Sequence, residues 1–206
     1  MAQDKQMTTK RLLLSVIATL LVTSSFADAV RSTPDRWHTR IYFTISHMGL
    51  SDYHGRFIDY DFDFMFDEND FSNSRIEVTV PISGIDTFSP ELNEKMPTEK
   101  FFHTAEFPTA HFVSTSIETT DKQYAVMIGD LTIRGVTLPI SFEVSYNSKV
   151  IHPYFKLNNI GLTATAEIDS RAYGVNTLPE WMLGASVGLR IEMEAFEGEK
   201  IPYYCE

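Results

Sequence analysis

The sequence predicts an all-β fold, an eight-stranded antiparallel barrel with a short helical insertion. Eight segments alternate apolar and polar residues with the period of two that marks a strand with one buried face, and short turns join almost all of them. A meander of this kind leaves two exposed edges unless it closes on itself, and closing it into a barrel removes them. At eight strands the interior holds side chains or one small ligand.

Residues 1–27 come first and have the three parts of a secretory leader. Lys5, Lys10 and Arg11 precede the apolar run Leu12 to Val22, and small residues then place a cleavage point after Ala27 or Ala29. The run is 11 residues long, too short to cross a bilayer, so it is read as a cleaved signal peptide rather than a retained anchor. No other stretch suggests a stable transmembrane helix. Residues 28–206 are read as one domain, long enough for a full core.

The formal charge of −11 argues against nucleic acid as a partner and against an anionic membrane held by electrostatics. Removing Asp4, Lys5, Lys10 and Arg11 with the leader takes away a net +2 and leaves −13. The single cysteine, Cys205, has no internal disulfide partner. In an oxidising compartment it admits a homodimer, but a terminal thiol without a nearby histidine or basic residue is read as inert.

The first strand runs from Trp37 to His47, with Ile41, Phe43, Ile45 and His47 on one face and Tyr42, Thr44 and Ser46 on the other. The second holds the densest aromatic pattern of the chain. Ile58, Tyr60, Phe62, Phe64 and Phe66 share one face, while Asp59, Asp61, Asp63 and Met65 share the other. So many rings on one face need either large partners or a guest to enclose. A third strand spans Ser74 to Ile85, in which Pro81 marks an edge, a bulge or the strand's end because it donates no ladder hydrogen bond. Ser89 to Met96 reads as a short helix capped by Ser89, with Pro90 in its first turn and Pro97 stopping it. The connection to Phe107 reads as an aromatic flap. Five more strands follow, at His111 to Ile117, Tyr124 to Ile133, Leu138 to Tyr146, Ile160 to Ile168 and Ala185 to Ala195. Gly129-Asp130 is expected to form a bulge. An outer-membrane barrel has the same period with its faces reversed, and the acidic outer rows and helical insertion weigh against it.

Several strings together resemble the YceI-like family. They are Ile45-Ser-His-Met-Gly49, Gly55-Arg-Phe57 with Phe64-Met-Phe-Asp67, Ile85-Asp-Thr87, Phe101-Phe102, Phe107-Pro108, Phe112-Val-Ser114, Gly129-Asp-Leu-Thr-Ile-Arg-Gly-Val-Thr137 and Ala164 to Gly174. The resemblance implies a lipocalin-like barrel in the periplasm whose apolar channel accommodates an isoprenoid lipid, such as a quinone or polyprenyl phosphate. It further implies that Phe57, Tyr60, Phe64 and Phe66 line the channel, with Phe43, Ile45, Val78, Val80 and Phe112 as neighbours. For any one of these residues, filling an ordinary core is an equal alternative. Phe62 stands where the family often has glycine, and Ala172 where it is commonly acidic.

His47 lies on the apolar face, where it would hydrogen-bond a lipid head group or be satisfied by backbone. The six histidines show no metal-binding spacing, and no metal or covalent cofactor is expected. Asp59, Asp61 and Asp63 read as a solvated row, and Asp169 with Arg171 as an ion pair. No catalytic motif appears. The reading is therefore a non-enzymatic lipid binder that sequesters or transports its ligand. The alternatives are an interaction module using the barrel surface and an enzyme acting on a bound quinone or prenyl lipid through His47.

Overall fold

The computed structural model describes residues 29–119 and 121–198; the expected leader and Cys205 lie outside them. Eleven strands form one antiparallel sheet: β1 Val30–Pro34, β2 Arg40–His47, β3 Ser51–Phe57, β4 Asp61–Phe66, β5 Arg75–Pro81, β6 Ile85–Asp86, β7 Thr109–Thr119, β8 Tyr124–Ile133, β9 Val136–Ile151, β10 Asn158–Asp169 and β11 Leu183–Glu197. The ring β1-β4-β5-β7-β8-β9-β10-β11 closes where Ser32 to Pro34 of β1 pair with β11. It is an eight-stranded barrel, as expected.

Three staves of this barrel are each made of two short strands. β1 and β2 lie in succession beside β11, β3 and β4 follow beside them, and β5 and β6 complete the set. Each stave is broken once, at Asp35–Thr39, Ile58–Tyr60 and Ile82–Gly84. The breaks are stitched to one another: Ile58 N–H donates to Gly84 O at 2.9 Å, Arg36 to Tyr60 O at 3.1 Å, and the Tyr60 hydroxyl to Thr39 O at 2.8 Å. The groups freed from the ladder thereby find partners inside the protein. Pro81 ends β5 beside a single 3-10 turn, at the strand's end where a residue without an N–H belongs.

The second expected strand therefore begins only at Asp61, after the break, and Ile58 is solvent-exposed rather than inward. Its alternation is real only from Tyr60 to Phe66. The helix is also shorter than expected, four residues from Pro90 to Asn93, although Ser89 caps it by accepting from Leu92 N–H. The bulge expected at Gly129-Asp130 lies instead on the neighbouring strand, where the register slips between Ser114 and Ser116. Parity in β8 is unbroken, with Ala125, Met127, Gly129, Leu131 and Ile133 all buried. Gly129 is needed because a Cβ there would lie 2.4 Å from Val113 O and 2.5 Å from the Phe112 ring.

The loops at residues 48–50, 87–108, 134–135 and 170–182 gather at one end of the barrel, called here the upper end. There β6 and β7 do not pair, and the segment 87–108 fills the gap between them.

Candidate functional site

The barrel encloses a cavity of about 440 Å³, within the size range of pockets that surround a small molecule. Its wall is made by inward residues from every stave of the ring, so the alternation that builds the strands also makes it apolar. Among the described residues, no Lys, Arg, Asp or Glu lines it.

Of the residues singled out in the sequence, Phe43, Ile45, His47, Phe57, Phe62, Phe64, Phe66, Val78, Val80 and Phe112 all line this cavity. Tyr60 does not. It is buried at the stave break, where its ring meets Phe62 with centroids 5.2 Å apart, its hydroxyl reaches Thr39 O, and Arg36 covers its face at 5.7 Å. Burial pushes its phenol above the ordinary value. It is a brace for the wall rather than part of it.

The aromatic wall runs lengthwise. Phe43 meets Phe57 at 5.7 Å, and Phe57 meets Phe102 of the flap edge to face at 6.5 Å. Phe43 also lies directly over Gly55, where a Cβ would fall 2.1 Å from its ring. At the lower end Phe66, Phe71 and Tyr146 pack as a trio with centroids 5.6–5.8 Å apart. Tilted and edge-to-face contacts of this kind are favourable for aromatic pairs.

Much of the wall was not singled out from sequence. Leu131, Phe142, Leu162, Ala164, Leu189 and Met193 come from β8 to β11 and line the cavity opposite the aromatic rows. Their alternation marks them as inward, but no local feature says that the inside is hollow.

Several polar side chains that reach the cavity are engaged elsewhere. Tyr53 donates to Thr87 O at 3.1 Å, the Thr87 hydroxyl to Asn93 at 2.7 Å, Ser170 to Ala185 O at 2.8 Å, and Asn176 to Gly184 O at 3.0 Å. His47 differs. It is exposed at the upper end, and its ring has no hydrogen-bond partner among the described residues, so backbone does not satisfy it.

The flap is tied down by Arg134, from the Gly129 to Thr137 string. This residue adopts φ 51° in the β8–β9 turn, and its guanidinium donates to Glu99 O at 3.1 Å, to Phe101 O at 2.8 Å and to Gly174 O. Gly135 beside it leaves room for Phe107, whose ring a Cβ would approach to 2.8 Å. One arginine thus joins the flap to the β10–β11 loop, a role that sequence reading of the string did not find.

Elsewhere the carboxylates are structural. Asp63 pairs with Arg31 and Arg75 on the outer face, and Asp59 with Arg36. Asp169 accepts from the backbone N–H of Arg171, while the Arg171 guanidinium turns to Glu180 at 3.3 Å and to Leu178 O at 3.0 Å, so the expected ion pair is not formed. Outside the cavity, Asp35, His38 and Glu194 bring three potential ligand atoms within 4.8 Å of one another. There His38 Nδ1 lies 2.7 Å from Asp35 Oδ2, and that hydrogen bond raises the imidazole above its ordinary value.

These features define a hollow, apolar-walled antiparallel barrel with a latched flap at one end. The YceI-like domain model matches residues 33–195, and the chain belongs to that family. It is 31% identical to Protein YceI of Salmonella arizonae over 82% of this chain and 88% of the relative. It is 30% identical to a UPF0312 protein of Pseudomonas savastanoi over 81% of this chain and 87% of that one. Among solved structures, the Campylobacter jejuni YCEI protein superposes with a TM-score of 0.69 at 25% identity, covering 75% of this chain and 90% of its own. BcnA of Burkholderia cenocepacia shares the fold at a TM-score of 0.71 and 16% identity, over 78% of this chain and 98% of its own. A domain from Saccharophagus degradans described as polyisoprenoid binding also shares the fold, at a TM-score of 0.61 and 12% identity, over 82% of this chain and 99% of its own.

Proposed function

We propose that this protein sequesters or carries an isoprenoid lipid, such as a quinone or polyprenyl phosphate, in its barrel cavity without converting it, and that it does so in the periplasm after export. The observation that carries this reading is the cavity wall, which is predominantly aromatic and aliphatic and holds no charged side chain among the described residues. An isoprenoid tail offers only apolar surface, and each methylene buried contributes about 0.8 kcal/mol. Ordering the tail offsets part of that. Membership of the YceI-like family and the likeness to a polyisoprenoid-binding domain support the same reading. The periplasmic address rests on the leader sequence.

With no charge inside to pair with, a polar head group stays at the upper end beside His47 while the tail runs down the wall. The flap between Glu91 and Phe107 then controls access, held shut through Arg134. Among the described residues the wall offers His47 as its one imidazole and no carboxylate, lysine or arginine to work with it, which favours binding over catalysis.

Native mass spectrometry of protein purified from its own compartment, followed by organic extraction, tests the proposal. A stoichiometric prenyl lipid or quinone is the expected result. Ala164→Trp, which fills the cavity from a half-buried lining position, should remove the adduct while the protein stays folded. A clean mass unchanged by added quinones and polyprenyl phosphates would overturn the proposal.

A further inference from the structure

The upper rim of the barrel exposes apolar side chains that the fold does not use. In the β2–β3 turn Met48 is 46% exposed and Leu50 80%, and in the β10–β11 loop Trp181 is 65% exposed. The two loops are joined, since Met48 N–H donates to Met182 O at 3.1 Å. Met48 and Gly49 both hold positive φ, 56° and 66°, which bends the turn sharply and carries Leu50 at its outer end. Phe88, on a third segment of the same end, is 62% exposed, but the Arg56 guanidinium lies over its ring at 5.5 Å, so it is not one of the free rim residues.

Position sets these residues apart from other exposed apolar side chains. Met48 follows His47 and Trp181 precedes Met182, and His47 and Met182 both line the cavity. These exposed side chains sit at the upper end of the cavity, whereas exposed Ile58 and Tyr124, whose neighbours Phe57 and Ala125 also line it, lie at the stave break and at the lower end. Val150, Ile151 and Tyr154 are exposed as well, but they lie at the opposite end and none of them lines the cavity.

We infer that this rim docks on the surface of a lipid bilayer, dipping Leu50, Met48 and Trp181 among the acyl chains so that the cavity opens directly onto the membrane. The inference deepens the proposed lipid binding and rests on it, because a tail passing from bilayer to cavity then avoids water. Tryptophan favours the boundary between acyl chains and head groups, and the joined loops hold Trp181 and Leu50 on one side of the molecule. Charge selects the kind of surface. Exposed Asp52, Glu94 and Glu99 balance exposed Lys95 and Lys100 in this region, and the rim guanidinium of Arg171 is already occupied by Glu180. With a formal charge of −11 the chain has no electrostatic pull toward anionic lipid. Docking is driven by apolar insertion into a net-neutral surface and resists salt.

The experiment uses Trp37→Phe protein, which leaves Trp181 as the one remaining tryptophan of the two in the sequence, and phosphatidylcholine vesicles brominated on their acyl chains. Trp181 fluorescence should be quenched and shifted to shorter wavelength, equally at low and high salt. Met48→Asp with Leu50→Asp should weaken vesicle binding by at least about tenfold, and Tyr154→Asp at the opposite end should leave it unchanged. The double variant should also take up isoprenoid from detergent micelles at the parent rate but from vesicles more slowly. Absence of quenching, rim variants that bind like the parent, loss of binding in Tyr154→Asp, or a spectral shift that follows protein concentration without lipid would each overturn the inference. If no isoprenoid loads from micelles or vesicles, it is the lipid-binding reading that fails, and quenching alone decides the docking.

Discussion

From β7 to β11 the ring is a run of long hairpins, whereas β1 to β6 build three staves from pairs of short strands, each broken where its neighbours are broken. In the hairpin half, backbone groups are satisfied by the ladder itself, so the fold rests on register. In the jointed half the ladder fails at three places and side chains take over. Arg36 reaches Asp59 and Tyr60 O, Thr39 donates to Glu194 O, and Asp35 accepts from Trp37 N–H. Most of the aromatic wall stands on this jointed half, and the flap adjoins it. The difference is in what holds the wall: the half that carries most of the rings depends on specific side-chain bonds at its breaks, whereas the hairpins depend on ladder register.

Two glycines sharpen this comparison most. Gly129 belongs to the hairpin half, and the Cβ of an alanine there would press on Val113 O, a ladder carbonyl that cannot move alone. Gly129→Ala should cost about 3 kcal/mol in denaturant unfolding. Gly55→Ala meets only the ring of Phe43, which can swing into the cavity, so its cost should stay below about 1.5 kcal/mol and appear mainly as reduced lipid capacity. Equal losses would break the distinction between the halves.

A smaller effect is expected at the joints themselves. Tyr60→Phe removes the 2.8 Å hydrogen bond to Thr39 O, which keeps Arg40 as a donor at 2.6 Å, and should cost about 1 kcal/mol. Because Tyr60 is not in the cavity wall, the amount of lipid held should not change. A loss of lipid without a loss of stability would move Tyr60 back into the wall.

The latch tests exchange rather than stability. Arg134→Ala removes donors to two carbonyls of the flap and one of the β10–β11 loop. Unfolding midpoints should change little, whereas lipid release, followed by transfer to acceptor vesicles, should quicken by about tenfold. Unchanged release would mean that the flap is not the gate.

The smallest effect lies in pH. The Asp35 carboxylate raises His38 above its ordinary value of 6.5. A group whose folded value is raised lends its stabilisation fully below the unfolded value and loses it as pH rises through the folded one. The stability advantage of wild type over His38→Gln should therefore be present below about pH 6.5 and shrink above it, as read from paired thermal melts. His38 is half exposed, so solvent screening keeps the effect small.

Strand faces were legible because alternation is local. Phe62, Phe64 and Phe66 announce an inward aromatic row, and Ile140, Phe142 and Val144 an inward apolar one, from spacing alone. Ile58 was misread for the same reason: its spacing continues the row, and only the neighbouring stave, through Gly84 O, shows that the strand has already broken. The Asp169–Arg171 pair looked natural at two residues apart, yet the guanidinium found Glu180 and two carbonyls across a loop.

By itself, then, the sequence determined the fold class, the side of the sheet on which residues within unbroken strands fall and, through its strings, the family. Period two, turn residues and proline's missing donor act over a few positions and need no distant partner. Only the tertiary structure decided where the staves break, that Tyr60 braces rather than lines, that Arg134 latches the flap and that the interior is hollow. Each of these depends on what stands beside a residue after closure. Register across the sheet brings together side chains far apart in the chain, and no local pattern encodes it.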